Sequence, residues 1–101
     1  MFDLQGLFEI SVLAVEKFPE QIRVMFDEDQ PIEERREKAK SVIGFMEGGL
    51  SRVAEEITSK QTTLQRQRFI ILTLFSLAPG GPDNDRLHRL WDDLLPVETE
   101  L

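Results

Sequence analysis

Apolar positions recur every three or four residues along most of the chain, and the marks that interrupt them are prolines and glycines. The interruptions fall at Pro19, Pro31, the run Pro79–Gly80–Gly81–Pro82, and Pro96. From Asp3 to Phe18 the residues Leu4, Leu7, Phe8, Val15 and Phe18 keep helical spacing. Ile10, Val12, Leu13 and Ala14 widen that stripe into a helix that is apolar on most sides, with Gln5, Glu9 and Glu16 as its wet face. Pro19 opens a second helix, where its missing N–H costs little, and Ile22, Met25 and Phe26 share one stripe of it.

The stretch DEDQPIEERREKAK is the clearest helix start. Asp29 or Gln30 is placed to cap, Pro31 takes the first position, and Glu33 and Glu34 sit where the helix dipole favours anions. Ala39, Val42, Ile43, Met46, Leu50, Val53, Ala54 and Ile57 then follow a three-four rhythm, with a break or kink expected at Gly48–Gly49. Thr58 or Ser59 is the expected cap of a further helix running into the decapeptide Phe69–Ala78. That decapeptide also has strand character, but no second strand is present to pair with it, so helix is the consistent reading. Asp83 or Asn84 caps the last helix, whose stripe is Leu87, Leu90, Trp91, Leu94 and Leu95.

The sum is an all-α fold, a small bundle of four to five helices over residues 1–96, with a frayed tail at 97–101. A bundle of this length has room for one helix that is apolar all round. Two such segments, 4–18 and 69–78, imply a core completed by a second subunit or an apolar groove for another helix. A homodimer is therefore expected. Ten helical residues span about 15 Å, half of a bilayer core, so Phe69–Ala78 is not expected to cross a membrane.

Composition narrows the function classes. Apolar and charged fractions of 41% and 31% are those of a globular domain. The absence of cysteine excludes disulfides, thiolate zinc sites and cysteine nucleophiles, and it fits a reducing compartment; Met1 leads into Asp3 and Glu9 without a basic n-region. A cytoplasmic location is the expectation. Net charge is −7, distributed as −7 over residues 1–34, +4 over 35–68 and −4 over 69–101. That order suggests acidic ends lying over a basic middle, within one chain or between two.

His88 is the only histidine, with Asp85 and Asp92 on the same helix face. Carboxylate-x-x-His is half of a di-iron bundle motif, and a monomer has no second half. With no Gly-rich phosphate loop, nucleophile elbow or paired metal motif, the sequence predicts no enzyme, no cofactor and no metal.

The segment RVAEEITSKQTTLQRQR resembles a helix-turn-helix, with Ala54, Ile57 and Leu64 at its small and apolar positions. It departs from that motif at Thr58, where glycine belongs, and at Ser59 and Gln67, where apolar residues belong. Nucleic-acid contact through residues 53–68 would fall to Lys60, Arg66 and Arg68, with Arg35, Arg36, Lys38 and Lys40 as further phosphate contacts. The net charge opposes it. The same acidity supports the converse idea, in which Asp27–Glu28–Asp29, Glu33–Glu34 and Asp92–Asp93 mimic a phosphate track.

Protein recognition has the broadest support. Gly44 and Gly48 form a Gly-x-x-x-Gly face on the third helix, with Phe45 and Arg52 beside it and off the main stripe. Leu87, Trp91 and Leu94 have the i, i+4, i+7 spacing of a helix that docks in a groove, and this segment resembles acidic, leucine-aromatic activation helices. The sequence thus predicts a non-enzymatic acidic helical protein that inhibits, chaperones or adapts a partner protein.

Overall fold

A computed structural model of the chain describes residues 4–53, 55, 59–78 and 83–98. Five helices account for most of them, and no strand occurs among the described residues. They are α1 (Leu4–Lys17), α2 (Pro19–Phe26), α3 (Ile32–Val53), α4 (Thr63–Leu77) and α5 (Asn84–Leu94).

The breaks between helices have local causes. Phe18 leaves helical geometry at φ −125° and ψ 47°, and Pro19 starts α2 directly after it. After α2 the side chain of Asp27 accepts from the backbone N–H of Asp29 at 3.0 Å, and Asp27 O accepts from Gln30 N at 3.1 Å. This pair closes the turn into α3. α4 begins with a full capping box: Thr62 Oγ1 accepts from Gln65 N, and Gln65 Oε1 accepts from Thr62 N. The cap is thus Thr62. Ser59 lies in the preceding turn, and Thr58 is outside the described residues. Asp83 caps α5 by accepting from Arg86 N.

α3 is the axis, with each of the other four helices packed against it. Ala39, Val42, Ile43, Met46 and Leu50 are completely buried along it. The helix continues through Gly48 and Gly49 without a break. The reason is tertiary. A Cβ built on Gly49 would overlap Cγ1 and Cδ1 of Ile10, so the missing side chain is what lets α1 lie down on α3. Gly48 faces open space.

From the other side, α4 contributes Gln67, Ile70, Ile71, Leu74 and Phe75 to the core, and α5 contributes Leu87, Leu90 and Leu94. Polar ties reinforce this half. Arg35, 3% exposed, donates to Met25 O and to Asp93 Oδ2, and Arg36 donates to Asp93 O. The Arg35–Asp93 pair joins the basic middle of the chain to its acidic end within one molecule. Gln67 is fully buried, and its amide makes two bonds to one residue: Nε2 donates to Val97 O at 2.7 Å, and Oε1 accepts from Val97 N at 2.9 Å. Val97, where fraying is expected to start, is instead buried and bonded on both sides; residues 99–101 lie outside the described residues. The radius of gyration, 12.7 Å, is that of one compact domain of this length.

Candidate protein-binding face

The side of the molecule opposite these ties is built by α1 and α4. α1 turns Leu7, Ser11 and Ala14 into the core and rests Ile10 against Gly49. That register, one turn at a time, leaves Phe8 and Val15 on the flank toward α4. Phe8 is 58% exposed and Val15 38%. α4 turns its five core residues inward, which leaves Leu72 and Leu77 outside with Phe69 at the edge of the core. Among the described residues, every large apolar side chain that is exposed (Phe8, Leu13, Val15, Leu64, Leu72 and Leu77) belongs to one of these two helices.

Between them runs a groove of about 450 Å³, lined by Leu7, Phe8, Ser11, Phe69, Leu72, Thr73, Ser76 and Leu77. None of these residues is charged, and the three hydroxyls already donate within their own helices. Ser11 donates to Leu7 O, Thr73 to Phe69 O and Ser76 to Leu72 O, at 2.8, 2.9 and 2.8 Å. The groove thus offers apolar surface and hydroxyls whose protons are already committed. A second hollow of about 460 Å³ continues it past Leu77, bounded by Val15, Pro19, Ile22, Phe26, Leu74 and Ala78.

Charge appears only at the rim of that second hollow, on Arg23, Asp27 and Arg86. Arg86 donates to Phe26 O at 2.7 Å and lies 5.5 Å from the ring centre of Phe75. Arg23 pairs with Glu20, and the hydrogen bond and charge of Arg23 hold the Glu20 carboxyl below its ordinary pKa. The Asp27 carboxyl is also held low, first by the Asp29 N–H and then by the Gln30 amide.

The residues singled out in the sequence are distributed differently. On α3, Gly44 and Phe45 are half-buried, while Gly48 and Arg52 are exposed. The Phe45 ring meets Phe18 edge-on at 5.4 Å, with Lys17 Nζ 5.0 Å from its centre. The small-residue contact falls on Gly49, one position from the Gly44/Gly48 face. Leu87 and Leu94 lie in the core, and Trp91 is half-buried at its edge, so the three share no exposed stripe. Trp91 Nε1 donates to Arg68 O at 3.1 Å, Arg68 lies over its ring at 5.9 Å, and His88 meets it edge-on at 5.1 Å.

Of the nucleic-acid candidates, Lys60 and Arg68 are exposed, and Arg66 is half-buried. Among the acids, Asp27 is engaged in its turn, Glu28 pairs with Arg89 at 3.2 Å, and Asp93 pairs with Arg35. No group of three or more metal-ligating side chains occurs among the described residues, and none of the described helices is long and apolar enough to cross a membrane.

Phe8 and Val15 keep helical spacing in the sequence, but that spacing assigns them to no binding face, and it does not single out Leu72 or Leu77. The signal for them is the all-round apolar character of segments 4–18 and 69–78, which marks the helices and not the faces. Comparison with protein-family models, with curated proteins and with solved structures returns no match to the chain.

Proposed function

We propose that this chain is a non-enzymatic helical protein that acts by binding a partner protein, with the α1–α4 face as its contact surface. The observation that carries this reading is that the exposed large apolar side chains of the described residues lie on two adjacent helices, with Phe8, Leu72 and Leu77 lining a groove without charge between them. A small-molecule site of this volume ordinarily has a few convergent polar groups that fix orientation. Here the available hydroxyls are already bonded, which favours the apolar side of a helix as occupant. Regulation of that partner, by inhibition, chaperoning or adaptation, follows from occupying it.

The test is affinity capture from the native lysate under nuclease, comparing the wild-type chain with Leu72→Glu and with a variant reversed in sign at Lys60, Arg66 and Arg68. A protein retained by the wild type and by the sign-reversed variant, and lost with Leu72→Glu, is the expected result. Recovery that vanishes under nuclease or on sign reversal alone would instead assign the activity to nucleic acid.

A further inference from the structure

We infer that the second hollow, bounded by the end of α1, by α2, by the end of α4 and by the start of α5, binds a small amphipathic carboxylate. Its apolar chain or ring lies on the walls and its carboxylate meets Arg86. This goes beyond the reading of the α1–α4 groove as a protein-binding surface and uses other side chains, Leu77 alone being common to the two linings.

The two hollows are nearly equal in volume and differ in chemistry. The groove has no charged residue in its lining, whereas the second hollow sets a guanidinium beside apolar walls from Val15, Ile22, Phe26 and Leu74. Small-molecule sites of roughly 300–1,000 Å³ combine such walls with a few polar groups that fix orientation. Arg86 is half-buried and held in place. Its Nη2 donates to Phe26 O at 2.7 Å, and its guanidinium stands 5.5 Å from the centre of the Phe75 ring. Among the described residues nothing accepts from its Nε or Nη1, and neither atom is sealed from solvent. A carbonyl and a ring orient this cation without neutralising it.

The acids of the surrounding segments are engaged elsewhere. Glu20 pairs with Arg23, the other cation of the lining, at 2.8 Å, and Glu28 pairs with Arg89 at 3.2 Å. Asp27, which shares the lining, accepts from the Asp29 N–H through Oδ1 and from the Gln30 amide through Oδ2. Asp83 accepts from the backbone N–H of Arg86 as the cap of α5, and Asp85 forms no ion pair with the guanidinium. Among the described residues Arg86 is thus the cation of this lining without a carboxylate. A ligand with one carboxylate supplies it through a charge-assisted bond. A neutral apolar ligand would strip water from the guanidinium and leave it unpaired, and a dianion would set its second charge against Asp27.

Titration of the isotope-labelled full chain with sodium decanoate, below micelle formation and read by two-dimensional NMR, tests this. Saturable shifts should fall on Val15, Ile22, Leu74, Ala78 and Arg86, and decanol should bind roughly tenfold more weakly than decanoate. Arg86→Met should weaken decanoate roughly tenfold and leave decanol unchanged, whereas a purely structural role for Arg86 would weaken both alike. Val15→Trp fills the hollow from an exposed position without touching Arg86, and it should abolish binding of both probes with unchanged helical circular dichroism. Absence of saturable binding at millimolar decanoate overturns the proposal. So do equal affinities for decanoate and decanol, binding that survives Val15→Trp, or shifts centred on Phe8, Thr73 and Ser76 of the neighbouring groove. None of these results touches the broader reading, which fails separately if capture of a foreign protein is unchanged by Leu72→Glu.

Discussion

The two sides of α4 are finished in different ways. Toward α3 and α5, its buried residues meet other apolar side chains, and the seam is tied by polar groups from distant parts of the chain. Gln67 holds Val97, Trp91 reaches the carbonyl of Arg68, and across α3 Arg35 joins Met25 to Asp93. Toward α1 the seam is apolar, and the side-chain hydrogen bonds described for α1 stay within it, from Gln5 to Glu9 and from Ser11 to Leu7. One side is closed by bonds that only one geometry satisfies. The other is left as unfinished hydrophobic surface, and an amphipathic helix with a wet outer face would have finished it. The contrast separates residues that specify the monomer from residues available to a partner.

The contrast can be broken at several points. Gln67→Leu should have the largest effect, because it leaves the buried N–H and C=O of Val97 unbonded; a loss of about 2–3 kcal/mol in chemical denaturation is expected. Leu72→Gln, on the same helix but on the open side, should change the stability of the monomer by no more than about 0.5 kcal/mol. Equal losses from the two would erase the distinction.

Next comes the α1–α3 contact. Gly49→Ala pushes a methyl into Ile10 and should cost about 1–2 kcal/mol. Its neighbour Gly48→Ala meets nothing and should gain about 0.5–1 kcal/mol from helix propensity. Thermal melts of the two variants should therefore move in opposite directions from the wild type.

The smallest effect concerns Asp27, at the rim of the second hollow. Its pKa is lower in the folded chain than in the unfolded one, so its contribution is fully present above the ordinary carboxylate pKa. That contribution is lost as the pH falls through the folded value. Asp27→Asn should show a shallower fall in Tm on acidification over this window than the wild type, and identical slopes would show that the turn draws nothing from the carboxylate.

Much of this architecture was legible in the chain, and the exceptions are physical. Helix starts at Pro19 and Asp83 and the stripe Ala39–Leu50 follow from local chemistry, and the structure has them. The α4 start is at Thr62 because the reciprocal pair with Gln65 outweighs the earlier hydroxyls, a signal present in the sequence as Thr-x-x-Gln. Gly48–Gly49 reads locally as a break. The helix nevertheless runs through both, and Gly49 takes the close approach of Ile10, thirty-nine residues away, a contact that no local pattern encodes. The same holds for Val97, whose order depends on a glutamine placed on another helix. For the binding face, apolar excess on segments 4–18 and 69–78 identifies the helices. Which of their sides stays outside is set by how Leu7, Ser11 and Ala14 dock, and that register belongs to the assembled bundle.

Hydroxyl-radical footprinting of the purified protein, alone and with the protein captured from the lysate, tests the account most directly, since it reads side-chain exposure residue by residue. Phe8 and Leu72 should lose reactivity when that protein is added. Leu13, which is 51% exposed on the side of α1 away from the groove, should stay reactive throughout. Reactivity of Phe8 and Leu72 that remains high in the presence of that protein would contradict the assignment of this face to protein binding.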